Sequence, residues 1–334
     1  MNLSSKDPIL SWNNKPINID EKKFIDINLV NNLDKEASKV WNNLLIKSDN
    51  SAGISSLLNS KQNKLINKNG GVKLIYIDPP YLTKKNQLML NSSSKEIAYK
   101  DKYNNSLSEY LSEMYIHLNL IKKILSDDGS VYVHLDYRTS SYIKVIMDEI
   151  FGASNLKGYL IWNIDNGAKS RKFWSNQHND VLVYSKSDKF TFNHQSEMLR
   201  TNFSDSSLKT HFTKKDKDGR FYRERNINNK SYKYFADDGK LVGSVWNDIK
   251  SMKANSPIME EYTSYPTQKP LSLLNRIISA SSSEGEIVMD TFCGSGTSLV
   301  VAENLDRKWI GIDFGNQAIS ICKERLKQNK FKLI

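Results

Sequence analysis

Two stretches carry groups able to do chemistry, and they lie far apart in the 334-residue chain. The first is Val72–Tyr81, where Leu74-Ile75-Tyr76-Ile77 runs into Asp78-Pro79-Pro80-Tyr81. The apolar run has the length and composition of a strand buried on both faces. Pro79 and Pro80 have no N–H, so they end the strand and stiffen the turn. Asp78 and Tyr81 are then held at the carboxyl end of the strand, where open α/β sheets bind ligands. The Asp78 carboxylate and the Pro79 carbonyl are two acceptors in a fixed corner, and Tyr81 adds a flat face for stacking. Asp-Pro-Pro alone reads as a turn; Tyr81 and the buried strand before it make the pattern specific. The second stretch is Glu286–Thr297, a strand followed by Phe292-Cys293-Gly294-Ser295-Gly296-Thr297 and a helix start. Glycines let backbone approach a ligand closely, and a helix N-terminus offers free N–H groups. Leu299 stands where the dinucleotide fingerprint has its third glycine, which counts against a nicotinamide cofactor. Asp313 ends the next strand, where an acid can bind ribose hydroxyls.

The remaining elements must position these two corners. Residues 1–40 form a polar arm in which Trp12 and Ile17–Ile27 suggest packing. Leu44–Asn50 reads as a short strand and polar turn, Ser51–Leu58 as a helix with Ile54, Leu57 and Leu58 inward, and Asn63–Gly71 as a loop. Leu82–Ser106 is a long polar loop, compatible equally with a segment closing over substrate and with a surface insertion. Leu107, Leu111, Met114, Leu118, Ile121 and Leu125 predict an amphipathic helix that stops at Asp127-Asp128-Gly129. Ser130–Asp136 reads as a buried strand and Ser140–Phe151 as a helix ended by Gly152. Tyr159–Trp162 and Asp180–Ser185 read as strands at the sheet edge. His134 and His178 lack partners at ligand spacing and read as core or hydrogen-bonded histidines.

Lys169–His178 interleaves bases with Phe173 and Trp174, a composition suited to phosphate contact plus stacking and equally to a solvated basic loop. From Phe190 to Lys250 the periodicity fades into a β-rich insert. It carries Lys214, Lys215, Arg220, Arg223 and Arg225 among aromatics, with a hairpin-type turn at Asp237-Asp238-Gly239-Lys240. Thr267-Gln268-Lys269-Pro270 precedes a helix, Leu271–Ser281. A final helix, about Asn316–Gln328, ends the chain.

The net charge of +11 and pI near 9.3 favour an acidic partner, nucleic acid being the commonest. Two cysteines, Cys293 and Cys322, give neither a disulfide framework nor a CxxC zinc pattern, and no metal-ligand cluster is apparent. No apolar run reaches membrane-span length and the N-terminus lacks a signal-peptide core, so a cytoplasmic location is expected.

Asp78-Pro79-Pro80-Tyr81, the Phe190–Lys250 insert, Thr267-Gln268-Lys269-Pro270 and Phe292–Thr297 follow one another in a set order. In that order the chain resembles S-adenosylmethionine-dependent DNA amino-methyltransferases of the β arrangement. Ala98–Tyr103, the strand to Asp136 and Asp148–Gly152 are also similar to type III restriction-system modification subunits. The resemblance implies a Rossmann-like α/β methyltransferase sheet, circularly permuted, with a small target-recognition insert. The divisions would be an arm at 1–40, a catalytic half at 41–189, a recognition region at 190–255 and a cofactor half at 256–334. Leu44–Asp49 would supply the strand after Asp313, which brings the two ends of the fold together.

The same resemblance implies that Asp78, Pro79, Pro80 and Tyr81 are catalytic. Asp49, Asp78, Thr267, Lys269, Phe292, Gly294, Gly296, Thr297 and Asp313 would hold S-adenosylmethionine. Double-stranded DNA would meet Lys169, Arg171, Lys172, Lys214, Lys215, Arg220, Arg223 and Arg225, with one base extruded into the cleft. The initial Asp favours adenine N6, since cytosine-N4 members more often carry Ser there. A homodimer and a restriction subunit are possible partners. The rivals are a cytosine-N4 enzyme, a methyltransferase acting on RNA or protein amide nitrogen, a non-catalytic DNA-specificity subunit, and the disfavoured dehydrogenase.

Overall fold

The computed structural model describes residues 9–36, 39–83, 87–88, 97–99, 106–164, 169–252, 258–327 and 331–334. The first half runs α1 (Ile27–Glu36), β1 (Asn43–Lys47), α2 (Asn50–Leu58), α3 (Gln62–Lys68), β2 (Val72–Ile77), the short β3 (Gln87–Leu88) and β4 (Ile97–Tyr99), α4 (Leu107–Ile124), β5 (Leu125–Leu135), α5 (Ser140–Phe151), β6 (Leu156–Asn163) and β7 (His178–Ser185). The insert holds β8 (Arg200–Thr201), α6 (Asp205–His211), β9 (Lys214–Lys215), β10 (Phe221–Ile227), β11 (Lys230–Phe235), β12 (Lys240–Leu241) and β13 (Val245–Trp246). The chain closes with α7 (Leu271–Ser281), β14 (Ile287–Asp290), α8 (Thr297–Asn304), β15 (Lys308–Asp313), α9 (Asn316–Arg325) and β16 (Phe331–Leu333).

Nine strands make one sheet in the order β13-β6-β7-β5-β2-β14-β15-β1-β16. Strands β5 through β16 in that order are parallel, and β7 runs antiparallel to both β5 and β6. All six residues of β2 are buried. Its side chains alternate: Ile75 and Ile77 join the core under α1, α2, α4 and α5, while Leu74 and Tyr76 join the core under α7, α8 and α9. A central parallel strand covered on both faces cannot show polar alternation, which is why the run reads as continuously apolar.

From β2 the chain leaves through α4 to β5 on one side; from β14 it leaves through α8 to β15 on the other. Neighbouring strands β2 and β14 therefore form a topological switch point, with Met289 beside Ile75 and Asp290 beside Tyr76. Strand β1 lies parallel beside β15, with Leu45 opposite Gly311 and Lys47 opposite Asp313, in the slot expected for it.

Four local expectations are corrected. Residues 62–68 form a helix rather than a loop, with Leu65 buried and Ile66 joining the core that includes β2 and β5. Helix α9 is not the last element: β16 pairs with the other face of β1 and becomes the edge. Asp237–Lys240 turns the chain but does not close a hairpin, since β11 pairs with β10 whereas β12 pairs with β8. Strand β13, from within the insert, returns to the main sheet beside β6, so β6 is not the edge. The insert is also tied down by Arg276 of α7, whose guanidinium donates to Asp248 and to the Met198 carbonyl.

Candidate active site

The carboxyl ends of β1, β2, β14 and β15 open on one cleft of about 1100 Å³. Asp78, Pro79, Pro80 and Tyr81 line it, as do Asp49, Thr267, Lys269, Phe292, Gly294, Thr297 and Asp313. The structure thus brings the proline corner and the distant glycine turn to one cavity across two adjacent strands. Gly296 is not on the wall. It sits behind it, in the left-handed region at φ 74°, where an added Cβ would lie 2.7 Å from Cys322 Sγ.

The Asp78 carboxylate is held from two sides. The Tyr81 hydroxyl donates to Oδ1 and the Lys269 ammonium donates to Oδ2. Burial and the Asp78 charge push the Tyr81 phenol well above its ordinary range, so it stays a donor. Beneath the Tyr81 ring lies His134, stacked at 6.4 Å. His134 bridges the Tyr76 hydroxyl and the Asn179 amide at 2.9 Å each, and burial lowers its pKa to about 3. It is a neutral, hydrogen-bonded platform, as its place inside a strand suggested.

Each residue of Thr267-Gln268-Lys269-Pro270 has a separate task. Thr267 adopts φ 62°, a strained setting for a β-branched residue and a kind of strain found at functional sites. The buried Gln268 holds it there, donating to the Glu261 carbonyl at 2.6 Å and accepting from Thr263 N–H at 2.9 Å. Lys269 reaches Asp78 and Pro270 starts α7.

At the glycine turn, Asp313 Oδ2 accepts from Gly294 N–H and Oδ1 from Gly315 N–H, both at 2.8 Å. Asp313 therefore fixes the turn as well as facing the cavity, and burial raises its pKa. Asp49 caps α2, accepting from Ser51 and Ala52 N–H.

Among the members of the wall that sequence reasoning missed are Asp290 and His117. Asp290 ends β14 as Asp78 follows β2; it accepts from Phe292 N–H and from the Ser298 hydroxyl. Burial raises its pKa to about 7, against those two hydrogen bonds and with a further push from Asp78 and Asp313. Its position at a strand's carboxyl end was the available signal. His117 of α4 places Nε2 2.7 Å from Thr291 Oγ1 and Nδ1 3.1 Å from Ser51 Oγ, with its ring edge-on to Phe292. Burial lowers its pKa to about 4. It passed as one polar residue on an amphipathic helix and carried no motif.

The eight basic residues proposed for DNA contact do not line the cleft. Lys214 pairs with Glu224 at 2.6 Å, and Arg220 with Asp237 at 2.7 Å and Asp238 at 2.6 Å. The Arg223 guanidinium lies among Phe203, Phe212 and Tyr234, and Lys215 lies over Phe221. Arg225 is exposed on β10, as are Lys169, Arg171 and Lys172 on the β6–β7 connection.

The charge of the wall favours one cofactor class over another. Asp26, Asp49, Asp78, Glu113 and Asp313 share the wall with Lys47 and Lys269, leaving an acidic cleft on a basic protein even with Asp290 part-protonated near neutral pH. A pyrophosphate would be repelled there, whereas a cationic cofactor would be attracted.

Residues 72–324 match the model of the N6_N4_Mtase family of DNA methylases. The chain belongs to that family. Type II methyltransferase M.EcaI of Enterobacter cloacae is 30% identical over 326 residues, covering 84% of this chain and 68% of that protein. DNA adenine methyltransferase YhdJ of Escherichia coli strain K12 is 29% identical over 257 residues, covering 76% of each. The fold is similar to that of the PvuII cytosine-N4-specific DNA methyltransferase, with a TM-score of 0.54 at 16% identity, covering 87% of the methylase and 88% of that chain. The methylase is an enzyme that uses S-adenosylmethionine. The wall fits that molecule, whose sulfonium and ammonium are both cationic.

Proposed function

We propose that the methylase transfers a methyl group from S-adenosylmethionine to adenine N6 in double-stranded DNA, as the modification activity of a restriction-modification system. The observation that carries this reading is the meeting of Asp78-Pro79-Pro80-Tyr81 with the Phe292–Thr297 turn in one acidic cleft. The Asp that opens the motif and the similarity to the DNA adenine methyltransferase YhdJ support adenine, and the similarity to the type II methyltransferase M.EcaI supports the modification role.

The donor supplies an activated methyl on sulfur; the protein's part is to hold and orient. An exocyclic amino group is a weak nucleophile because its lone pair is delocalised into the ring. Asp78 and the Pro79 carbonyl can each accept one of its two N–H bonds and draw that lone pair out of conjugation. Tyr81 and Lys269 fix the carboxylate for this, and the Tyr81 ring, backed by His134, offers the base a stacking face. Alignment of this kind can lower a barrier by roughly 7–11 kcal/mol. Asp78 is also an acceptor for the proton that the nitrogen sheds. Phe292, Asp49 and Asp313 line the part of the cleft suited to the nucleoside half of the cofactor, and Thr267 and Lys269 the methionine half.

Substituting Asp78→Ala tests this with radiolabelled S-adenosylmethionine and unmodified DNA. Methyl transfer is expected to vanish while DNA binding persists; retained turnover would refute the role of Asp78.

A further inference from the structure

Strand β6 runs parallel to β5 and β2, since both β6 and β5 are antiparallel to β7. The connection from Asn163 to His178 therefore emerges at the same end of the sheet as Asp78. It leaves β6 three strand positions from β2 and rejoins β7 two positions away, or about 14 and 10 Å sideways at ordinary strand spacing. On this connection Trp174 is 97% exposed and Phe173 71% exposed. The turn beneath them is built: Ser170 Oγ accepts from Lys172 and Phe173 N–H, and Ser175 Oγ accepts from Ser170 N–H at 2.6 Å. Lys169, Arg171 and Lys172 surround the two rings, and no acid occurs from Lys169 to Asn179. Among the described residues these three cations make no ion pair, unlike Lys214 and Arg220 of the insert.

An indole held this far into water by an ordered, wholly cationic turn beside the catalytic cleft lacks only a stacking partner. A duplex that loses a base to the cleft leaves a gap in its stack, and apolar side chains fill such gaps. We propose that Trp174 is the wedge that enters the duplex as the target base leaves, with Lys169, Arg171 and Lys172 on the flanking phosphates. The proposal rests on the DNA-methylation reading and adds to it a residue that acts on the duplex rather than on the base or the cofactor.

The test uses an unmethylated duplex with the sequence in which sequencing of modified DNA finds the methyl group, and the same duplex with a mismatch opposite the target base. A mismatch lowers the cost of extrusion, so a wedge matters less there. Trp174→Ala is expected to slow single-turnover methylation of the matched duplex by about 10- to 100-fold, the range measured for losing one base–aromatic stack. The mismatched duplex should recover most of that loss, Trp174→Phe should retain most activity, and S-adenosylmethionine affinity by calorimetry should be unchanged. An equal loss on both duplexes, or none on the matched one, overturns the wedge. If sequencing finds no modified site, the methylase reading fails first and the wedge falls with it.

Discussion

Asp290 is buried at the cleft wall near the Asp78 and Asp313 carboxylates, and its pKa of about 7 makes it a pH-dependent burden on the fold. In the unfolded chain an aspartate ionises near 3.9. The native state keeps the Asp290 proton for about three pH units longer. The stability this contributes is full below about pH 4, declines as pH rises, and is gone above about pH 7. At 1.36 kcal/mol per unit the whole effect is on the order of 4 kcal/mol, and about 3 kcal/mol of it falls between pH 5 and pH 8. Other acids run the opposite way: Arg276 holds the Asp248 carboxyl below the usual carboxylate range. Only a difference between variants isolates Asp290. Asp290→Asn keeps the shape and cannot ionise, and its amide can still accept from Phe292 N–H while the Ser298 hydroxyl turns to accept from it. Urea unfolding of both proteins at pH 5 and pH 8 gives the comparison. The variant should gain about 3 kcal/mol on the wild type between the two pH values. A difference that stays within about 0.5 kcal/mol would show that Asp290 titrates alike folded and unfolded, and the reasoning from its burial would be wrong.

Three further substitutions probe the cleft wall and the packing behind it. Gly296→Ala puts a Cβ 2.7 Å from Cys322 Sγ at a left-handed position; strain of about 1–2 kcal/mol plus overpacking of about 1–3 kcal/mol should lower the melting temperature and weaken cofactor binding. A wild-type melting curve would contradict the close fit. Gln268→Ala strips partners from the Glu261 carbonyl and Thr263 N–H, and should cost about 1–3 kcal/mol in urea unfolding; no change would mean that water replaces the amide freely. Lys269→Met removes one of the two donors that fix Asp78 and should reduce the single-turnover rate by about 100-fold with DNA affinity intact. An unaltered rate would show that Tyr81 alone is sufficient.

Much of the fold was legible because its signals are local. The apolar run of β2, the stripe on α4 and the stop at Gly152, with φ 94°, each follow from residues close in sequence. The slot of β1 could be read because Asp313 ends its strand and the sheet needs one more. What escaped depends on partners distant in the chain. Helix α3 is short and polar, and only the core that receives Ile66 explains why that face turns inward. Strand β16 is three residues long and exists through its pairing with β1. Within the site, Asp78, Lys269 and the glycines stood out by motif. His117 did not: its partners Ser51 and Thr291 are 66 and 174 residues away, and no spacing along α4 reveals them. In the basic insert the acids that pair with Arg220 and Lys214 in space were likewise not legible from the sequence.

DNA from cells expressing the wild-type methylase and the Asp78→Ala variant can be sequenced by a method that reports modified bases. N6-methyladenine within one short sequence context, present with the wild-type protein and absent with the variant, is the expected result. N4-methylcytosine in its place, no modification at all, or an identical pattern from the variant would contradict adenine methylation at the Asp78 corner.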